Sequence, residues 1–284
     1  MIIVQKTYEE LLAPPKSVWE CFYWNAVSST LRLFGSLSEG MRIGYKYGFD
    51  SGEMLDYIYR NEAKGDFLLG KIVDRCHLNA IGWKAIRQRK INVKNLLREA
   101  VIKSSQSEKS VHVVDVAAGP GRYLLETLKE LPSLNIKATL RDRDEVGLLH
   151  GRQNAEAINI TNAYYEKGDA FDPNDLVKVK PRPDVVIVSG LYELFSDNAL
   201  IKRSLKGIYD LLKPGGFLIY TNQPHHPQLE LIARCLPNRD GKLWVMRLRS
   251  QQEMDQLVIE GGFIKEKTLV DKWGIFTVSI AVKV

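Results

Sequence analysis

The stretch VVDVAAGPGRYLLETL, residues 113–128, decides the fold. It starts as a short apolar run containing one acid, Asp115, continues into a turn with two glycines, and ends in apolar spacing typical of a helix. A strand, a glycine-rich turn and a helix in this order form the ligand-binding part of an open α/β sheet. Small residues in the turn let a ligand approach the backbone, and the helix start offers free N–H groups.

The chain after residue 109 repeats this alternation of short apolar runs and helices. Strands are predicted at 111–116, 136–140, 163–167, 184–189, 216–221, 264–270 and 275–282, and helices at 121–130, 144–158, 173–178, 197–212 and 250–260. Continuous apolar runs such as DVVIVSG are typical of parallel strands buried on both faces. The pattern predicts a doubly wound, Rossmann-like α/β fold with a seven-stranded sheet. The connection between the last two strands is too short for a crossover helix, which predicts an antiparallel C-terminal hairpin.

Acids follow the ends of the first three predicted strands. Asp115 ends the first strand, and Asp142 follows the second, 21 residues after Gly121, where a carboxylate binds ribose hydroxyls in nucleoside-binding units. Asp169 follows the third strand and could accept a hydrogen bond from an adenine amine, with the N–H of Ala170 beside it. We interpret Asp144 as the N-cap of the next helix.

The details of the turn discriminate between ligands. The dinucleotide fingerprint needs a small residue three positions after its second glycine, where this chain has Leu124. A carboxylate at Asp115 would also repel a pyrophosphate, whereas it would attract a cation. S-adenosylmethionine carries an ammonium, a sulfonium and a carboxylate, which matches an acid beside free helix N–H groups.

The motifs VVDVAAGPGRY, LRDRD, EKGDAFD, PDVVIVSGLYELF and LKPGGFLIY resemble, in order and spacing, those of class I S-adenosylmethionine-dependent methyltransferases. The resemblance covers about residues 109–284 and implies S-adenosylmethionine as cofactor. It implies that Asp115 holds the methionine moiety together with the turn that contains Ala117, Gly119 and Gly121. It further implies that Asp142 binds the ribose and that Asp169 with Ala170 binds the adenine. Ser189 is expected to be a further cofactor contact. Ala117 departs from the family, which more often has glycine there. The phrases GFDSGEMLDYIYRN, GWKAIRQRK and QPHHPQLE are similar to a bacterial methyltransferase family, some of whose members are fused to α/β-hydrolases.

The acceptor is expected to face the residues after the fourth and fifth strands. The candidate catalytic residues there are Tyr192, Glu193, His225 and His226. Transfer from a sulfonium needs mainly alignment and exclusion of water, with an optional base, and a histidine has a pKa suited to deprotonating a hydroxyl. Two adjacent histidines in a polar loop are nevertheless more often surface groups, and Glu193 is equally typical of a helix start.

We interpret residues 1–108, which have helical spacing and few strand patterns, as a helical lid or accessory region, and residues 109–284 as the catalytic domain. A lid would bury a small acceptor, with Arg60 near the cofactor carboxylate and the acceptor lined by Tyr45, Tyr47, Tyr57 and Tyr59. Packing of these tyrosines between helices is an equally good explanation. The aromatic stretch at 18–34 is predicted to pack in the core, with a lipid face or a second subunit of a homodimer as alternatives.

Composition narrows the class of protein. The 284 residues are 45% hydrophobic and 26% charged, as in soluble globular proteins. No secretory leader is recognisable, and no apolar run approaches the roughly 18–20 residues of a membrane span. The three cysteines are far apart and lack metal-ligand spacing, so we expect free thiols, no metal site and a cytoplasmic location.

Positive charge is concentrated between residues 75 and 110, where nine Lys or Arg face two Glu. A solvated helix face explains such a run more often than nucleic acid does. The leading prediction is methyl transfer to a small or lipid-like acceptor. The alternatives are an RNA methyltransferase that uses the basic window, a non-catalytic binding protein on the same fold and, more distantly, a dehydrogenase.

Overall fold

The computed structural model describes residues 5–284, and the contacts within it divide the chain into two compact units. The helical unit comprises the chain up to Arg87 together with His225–Leu248, and the sheet unit comprises Gln88–Pro224 together with Arg249–Val284. The predicted boundary at residue 108 differs from this division. Residues 88–108 belong to the sheet unit because, for example, Lys90 and Lys94 form ion pairs with Glu126. Residues 1–4, on which the expectation of no secretory leader partly depends, lie outside the described residues.

The sheet unit contains the seven predicted strands. They are β1 (Val111–Asp115), β2 (Ile136–Asp142), β3 (Ala163–Lys167), β4 (Val185–Val188), β5 (Phe217–Asn222), β6 (Phe263–Val270) and β7 (Thr277–Lys283). Their order across the sheet is β3-β2-β1-β4-β5-β7-β6. The first five strands pair in parallel, and β7 runs antiparallel to both β5 and β6. The predicted fold class and C-terminal hairpin are confirmed, with β7 inserted between β5 and β6.

Twelve α-helices are assigned within residues 5–284. In chain order they are α1 (Tyr8–Leu12), α2 (Val18–Gly35), α3 (Glu39–Tyr47), α4 (Gly52–Arg60), α5 (Phe67–Leu78), α6 (Ile81–Ser105), α7 (Arg122–Glu130), α8 (Glu145–Ala157), α9 (Pro173–Leu176), α10 (Asn198–Leu211), α11 (Leu229–Cys235) and α12 (Gln251–Glu260). Five of them match the helices predicted after residue 109, whereas α11 was not predicted. No helix in this described part of the chain is both long and apolar enough to cross a bilayer.

The central strands are apolar because both faces of the sheet are covered. Every residue of β1 and β4 is buried, and Val114, Val186 and Leu218 belong to a core cluster that also includes side chains of α10 and α12. Parallel strands that share this core end at the same edge of the sheet. The residues that follow β1, β2 and β3 are therefore neighbours in space, although they are far apart in the sequence.

Candidate active site

The turn after β1 connects the ends of two neighbouring strands. Gly119 and Gly121 have φ angles of 51° and 70°, in the left-handed region that favours glycine. The Gly119 N–H donates to Oδ2 of Asp142 at 2.8 Å, and Gly121 immediately precedes α7. The glycines predicted from the sequence thus shape a tight turn whose backbone is held by an acid from β2.

Gly121 has no room for a side chain. A Cβ atom added there would lie 2.0 Å from Cδ2 of Leu140. We expect Gly121→Ala to lower the free energy of unfolding by about 2–5 kcal/mol, because left-handed strain and overpacking add. The matched control is Gly215→Ala, since Gly215 has a φ of 71° but no atom within 4 Å of an added Cβ. This control variant should lower the free energy of unfolding by only the cost of the left-handed strain, about 1–2 kcal/mol. Equal losses in urea unfolding would show that the Leu140 contact is unimportant.

Asp115 is completely buried at the end of β1. It accepts a hydrogen bond from the Ala117 N–H at 3.2 Å and a short one from the hydroxyl of Tyr123. Burial, with a smaller contribution from the charge of Asp142, raises the pKa of its carboxyl to about 7, although both hydrogen bonds act to lower it. A cation placed nearby would stabilise the ionised form. Tyr123 was missed by the sequence analysis, although its position in the first turn of α7 was a clue.

Asp142 holds the turn and keeps capacity for a ligand. Its Oδ2 accepts from Gly119, and its Oδ1 accepts from the Asp144 N–H at 3.0 Å. A carboxylate offers about four lone-pair sites, so about two remain after these bonds. Asp144 itself caps α8 by accepting from the Val146 N–H at 3.0 Å, as predicted.

The loop after β3 is also organised by carboxylates. Oδ1 of Asp169 accepts from the Phe171 N–H at 2.9 Å, and the Asp169 N–H donates to Asp175 at 2.9 Å. Asp175 in turn accepts from Arg141 at 2.8 Å. Ala170 is buried and belongs to the apolar core cluster of the sheet unit. The loop is therefore held by side chains from β2 and α9.

The ends of β4 and β5 are joined by hydrogen bonds. The Gly190 N–H donates to Oγ1 of Thr221 at 2.8 Å, next to the buried Ser189. Asn222 donates to the backbone carbonyl of Arg249 at 3.0 Å, so its amide has a structural role. The amide nitrogen of Gln223 is buried and has no hydrogen-bond partner among residues 5–284. Gln223 therefore provides a donor without a protein acceptor beside β5.

Glu193 is a buried acid whose oxygens accept no hydrogen bond from any described residue. Its Oε1 lies 3.6 Å from Nη1 of Arg89, which forms an ion pair with it. The Arg89 guanidinium also lies over the ring of Phe276, 4.7 Å from its centre. Buried carboxylates are normally hydrogen-bonded, so the two oxygens of Glu193, which accept no hydrogen bond within residues 5–284, indicate a position for a donor from a ligand. Arg89 was missed because it precedes the sheet by more than twenty residues.

Tyr192 is part of the core, which argues against its predicted catalytic role. The side chain belongs to the buried core cluster, and its hydroxyl donates to Oγ of Ser204 at 2.8 Å. Burial raises the pKa of this hydroxyl above its usual range. In the short 3₁₀ turn Tyr192–Leu194, a residue that packs in the core is thus followed directly by Glu193, whose carboxylate accepts no hydrogen bond from the described residues.

The two histidines lie in the helical unit and have different surroundings. His226 is buried, and its Nδ1 accepts from the Gln228 N–H at 3.1 Å. Burial lowers the pKa of His226 to about 4, so the expectation of a pKa suited to proton abstraction near pH 7 is wrong for this residue. His225 is half-buried, and its catalytic role stays a prediction.

The residues predicted to line a lid also belong to the helical unit. Tyr57 is buried and donates a short hydrogen bond to Asp74, which makes it a packing residue and not a side chain that faces an acceptor. Arg60 is exposed and forms an ion pair with Asp56 at 3.4 Å. Its placement near a cofactor carboxylate stays a prediction.

The basic window is largely neutralised within the sheet unit. Five of its cations form ion pairs with acids of the sheet unit. The pairs are Lys90 and Lys94 with Glu126, Lys94 and Arg98 with Glu130, Lys103 with Glu266, and Arg89 with Glu193. Phosphate binding relies on cations that are available to the nucleic acid. Most of the charge that prompted the RNA alternative is therefore already balanced by the protein.

Comparison with known proteins places the site in a family. A family model described as "Putative methyltransferase" matches residues 3–283. The chain is 47% identical over 255 residues to the uncharacterized protein YnbC of Escherichia coli strain K12, covering 89% of this chain and 43% of that relative. The chain thus spans less than half the length of the curated relative it matches.

Solved structures share the fold at low sequence identity. A possible exported protein from Bordetella parapertussis has a TM-score of 0.69 at 18% identity, with 91% of this chain and 87% of that chain covered. Magnesium protoporphyrin IX methyltransferase from Synechocystis PCC 6803 with bound SAH has a TM-score of 0.58 at 13% identity, with 84% and 97% covered. Since the family model spans nearly the whole sequence, the chain belongs to the family described as "Putative methyltransferase".

Proposed function

We propose that the chain transfers a methyl group from S-adenosylmethionine to a small or lipid-like acceptor. The observation that carries this proposal is the pair Asp115 and Asp142, two acids whose carboxylates accept hydrogen bonds from the same turn, at the N–H groups of Ala117 and Gly119. Such a pair favours a cationic ligand and disfavours a pyrophosphate. Family membership and a methyltransferase among the fold neighbours support the same reaction.

The residues at the ends of β1, β2 and β3 fit the parts of this cofactor. Asp115 would face the positively charged methionine moiety beside the turn of Ala117–Gly121, Asp142 the ribose hydroxyls, and Asp169 with Ala170 the adenine. Gly119 and Gly121, whose positive φ favours glycine, add no side chain to the turn that would obstruct a ligand. When bound, the cofactor supplies an activated methyl group on a sulfonium.

Glu193 is the favoured residue for the acceptor side. A hydroxyl or amine of the acceptor could donate to its unused oxygens, and Gln223 could donate to a neighbouring oxygen of the same molecule. Glu193 would then orient the acceptor and receive its proton, while the guanidinium of Arg89, 3.6 Å away, holds the carboxylate in place. The buried surroundings exclude water, which is the main requirement of a displacement reaction. A covering role of the helical region and a cytoplasmic location remain part of this proposal.

Calorimetry tests the proposal directly. The purified chain should bind both S-adenosylmethionine and S-adenosylhomocysteine, and NAD should not compete with either. A non-catalytic scaffold predicts no affinity for any of them, and a dehydrogenase predicts the reverse preference. An RNA methyltransferase would additionally bind RNA with a steep dependence on salt.

The pKa of Asp115 predicts a dependence of cofactor binding on pH. Its folded pKa of about 7 lies above the usual 3.8, so the carboxyl is mostly protonated below pH 7 and must lose a proton to meet a cation. Affinity for S-adenosylmethionine should therefore rise by up to about tenfold per pH unit between roughly pH 5.5 and 7 and then level off. Asp115→Asn should bind more weakly and lose this slope, whereas Asp169→Asn should keep it. A wild-type affinity that stays constant over this range would contradict the assignment.

A further inference from the structure

One face of α2 is apolar and exposed. Trp19 is 82% exposed, Phe22 68% and Leu33 70%, and Val18, Tyr23 and Phe34 are exposed beside them. At 3.6 residues per turn, positions 18, 19, 22 and 23 lie on the same side of the helix as positions 33 and 34, which follow about three turns later. The prediction that the aromatic stretch at 18–34 packs in the core is therefore wrong for these side chains. A stripe of large apolar residues of this extent is unusual on the surface of a monomer.

The opposite side of α2 accounts for the packing of the helix within its own unit. Cys21, Trp24 and Leu31 are partly covered, and Gly35 is buried against Met41 of α3. The helix also packs on α11 and α5. The exposed stripe is thus not needed to attach α2 to the helical unit, and the large apolar side chains exposed near both ends of this helix require another explanation.

The start of α5, a helix that contacts α2, adds to the same kind of surface. Phe67 is 86% exposed, and Leu68, Leu69 and Ile72 are also exposed. Phe67 has a φ of 53°, which is strained for a bulky side chain. Strained residues persist where the surroundings or a function require them, yet here the ring contributes little to the core. A partner that covers Phe67 would offset this cost.

We propose that the stripe on α2, with the start of α5 beside it, is the interface between two copies of this chain. From their exposed fractions, the six apolar residues of the stripe present roughly 800 Å². A stable interface buries about 800 Å² on each partner. The available area therefore matches what a homodimer needs without a contribution from the rest of the molecule.

The charges around this surface favour protein over membrane. Residues 5–35 contain three cations and three acids, and residues 66–78 contain two of each. Helices that lie on anionic membranes are rich in Lys and Arg on the polar face. Because the charges around the apolar surface cancel, they do not attract anionic lipids. They also do not make two identical copies of the chain repel each other.

The order of residues along α2 fits an antiparallel pair. The aromatic residues lie in the first two turns and Leu33 and Phe34 in the last, with Ala26 and Thr30 between them. A two-fold axis at Ala26 would lay Trp19 of one copy over Leu33 of the other, and Val18 over Phe34. Phe22 would then lie opposite Thr30, close to the axis, because an isologous interface pairs each position with the one equally far from the axis on the other side. The small residues at the centre allow the helices to approach closely.

Sedimentation of the full chain over a range of concentrations tests the association. We expect a species of twice the monomer mass of 32.3 kDa. Phe22→Glu should weaken the dimer by at least about 100-fold, since it places a charge in the centre of a desolvated patch. The control Ile259→Glu changes an equally apolar, exposed residue of α12 in the sheet unit and should leave the mass unchanged. A wild-type monomer at all concentrations, or a dimer that Phe22→Glu leaves intact, would overturn the proposal.

Oxidative cross-linking tests the geometry. In a background with Cys21→Ser and Cys76→Ser, Ala26→Cys should form a disulfide between two copies. Leu33→Cys should not, because the two copies of that position would be about 20 Å apart along antiparallel helices. Cross-linking at Leu33 instead of Ala26 would contradict the antiparallel pair. A monomeric wild type could instead float with phosphatidylcholine or phosphatidylserine vesicles and lose this binding in Phe22→Glu. That result would overturn the dimer proposal and show that the stripe binds a membrane surface. Binding of S-adenosylmethionine should be unaffected throughout, which separates this test from that of the proposed function.

Discussion

Asp142→Ala is expected to lower the affinity for S-adenosylmethionine by about 100-fold or more. The carboxylate would accept two hydrogen bonds from the ribose, each charge-assisted bond being worth about 1.5–3 kcal/mol. The substitution also removes the acceptor of the Gly119 N–H, and with it one of the contacts that hold the turn. Calorimetric titration of both proteins with the cofactor measures the loss.

Two further variants separate ligand binding from turn structure. Asp142→Asn keeps an oxygen for the Gly119 N–H but loses the charge, so we expect an affinity between those of wild type and Asp142→Ala. Asp144→Ala removes an acid from the same loop, yet this acid only caps α8. It should cost about 1 kcal/mol of stability and leave cofactor affinity unchanged. If Asp142→Ala binds as tightly as wild type, the ribose assignment fails.

Glu193→Gln is expected to lower methyl transfer by roughly 100- to 10,000-fold, the usual contribution of a positioned base. The amide keeps the shape of the side chain but cannot receive the proton of the acceptor. The measurement is transfer of labelled methyl from S-adenosylmethionine into a cell-extract fraction that the wild type methylates. Cofactor affinity should be unchanged, because Glu193 lies at the end of β4 and not in the turn after β1.

The control for Glu193 is its neighbour. Tyr192→Phe removes a hydroxyl that donates to Ser204 within the core, so it should cost about 1 kcal/mol of stability and leave methyl transfer intact. Because Glu193→Gln leaves the Arg89 charge buried without its acid, stability must be measured in parallel. A folded Glu193→Gln variant that binds cofactor and retains full methyl transfer would exclude Glu193 as the base. His225 would then be the remaining candidate for that role.

The positions of the strands were predictable because they depend on local patterns. Buried parallel strands appear as continuous apolar runs, so β1 and β4 could be located from residues 111–116 and 184–189. The acids that follow β1, β2 and β3 were predictable for the same reason, since the end of each run marks the edge of the sheet where ligands bind. The insertion of β7 between β5 and β6 was not predictable, because a hairpin can be placed on either side without changing its sequence pattern.

The side-chain partners could not be predicted, because they join residues that are distant in the chain. Glu193 and Arg89 are 104 positions apart, and nothing in either segment indicates that they form a pair. Adjacent residues also have different roles: Tyr192 packs in the core, whereas the carboxylate oxygens of Glu193 accept no hydrogen bond within residues 5–284. The direction of each side chain depends on the short turn after β4 and on the elements packed around it.

The sequence by itself determined the seven strands, the glycine turn and the three acids, because apolar runs and turn residues act through neighbours in the chain. Tertiary structure alone decided three other properties: the raised pKa of Asp115, the low pKa of His226 and the exposure of the α2 stripe. Each of these depends on which surfaces are removed from water. The surface area that each residue buries follows from the packing of segments that are distant in the chain. An apolar residue such as Trp19 therefore has the same local sequence pattern whether the core of its own chain or a second copy covers it.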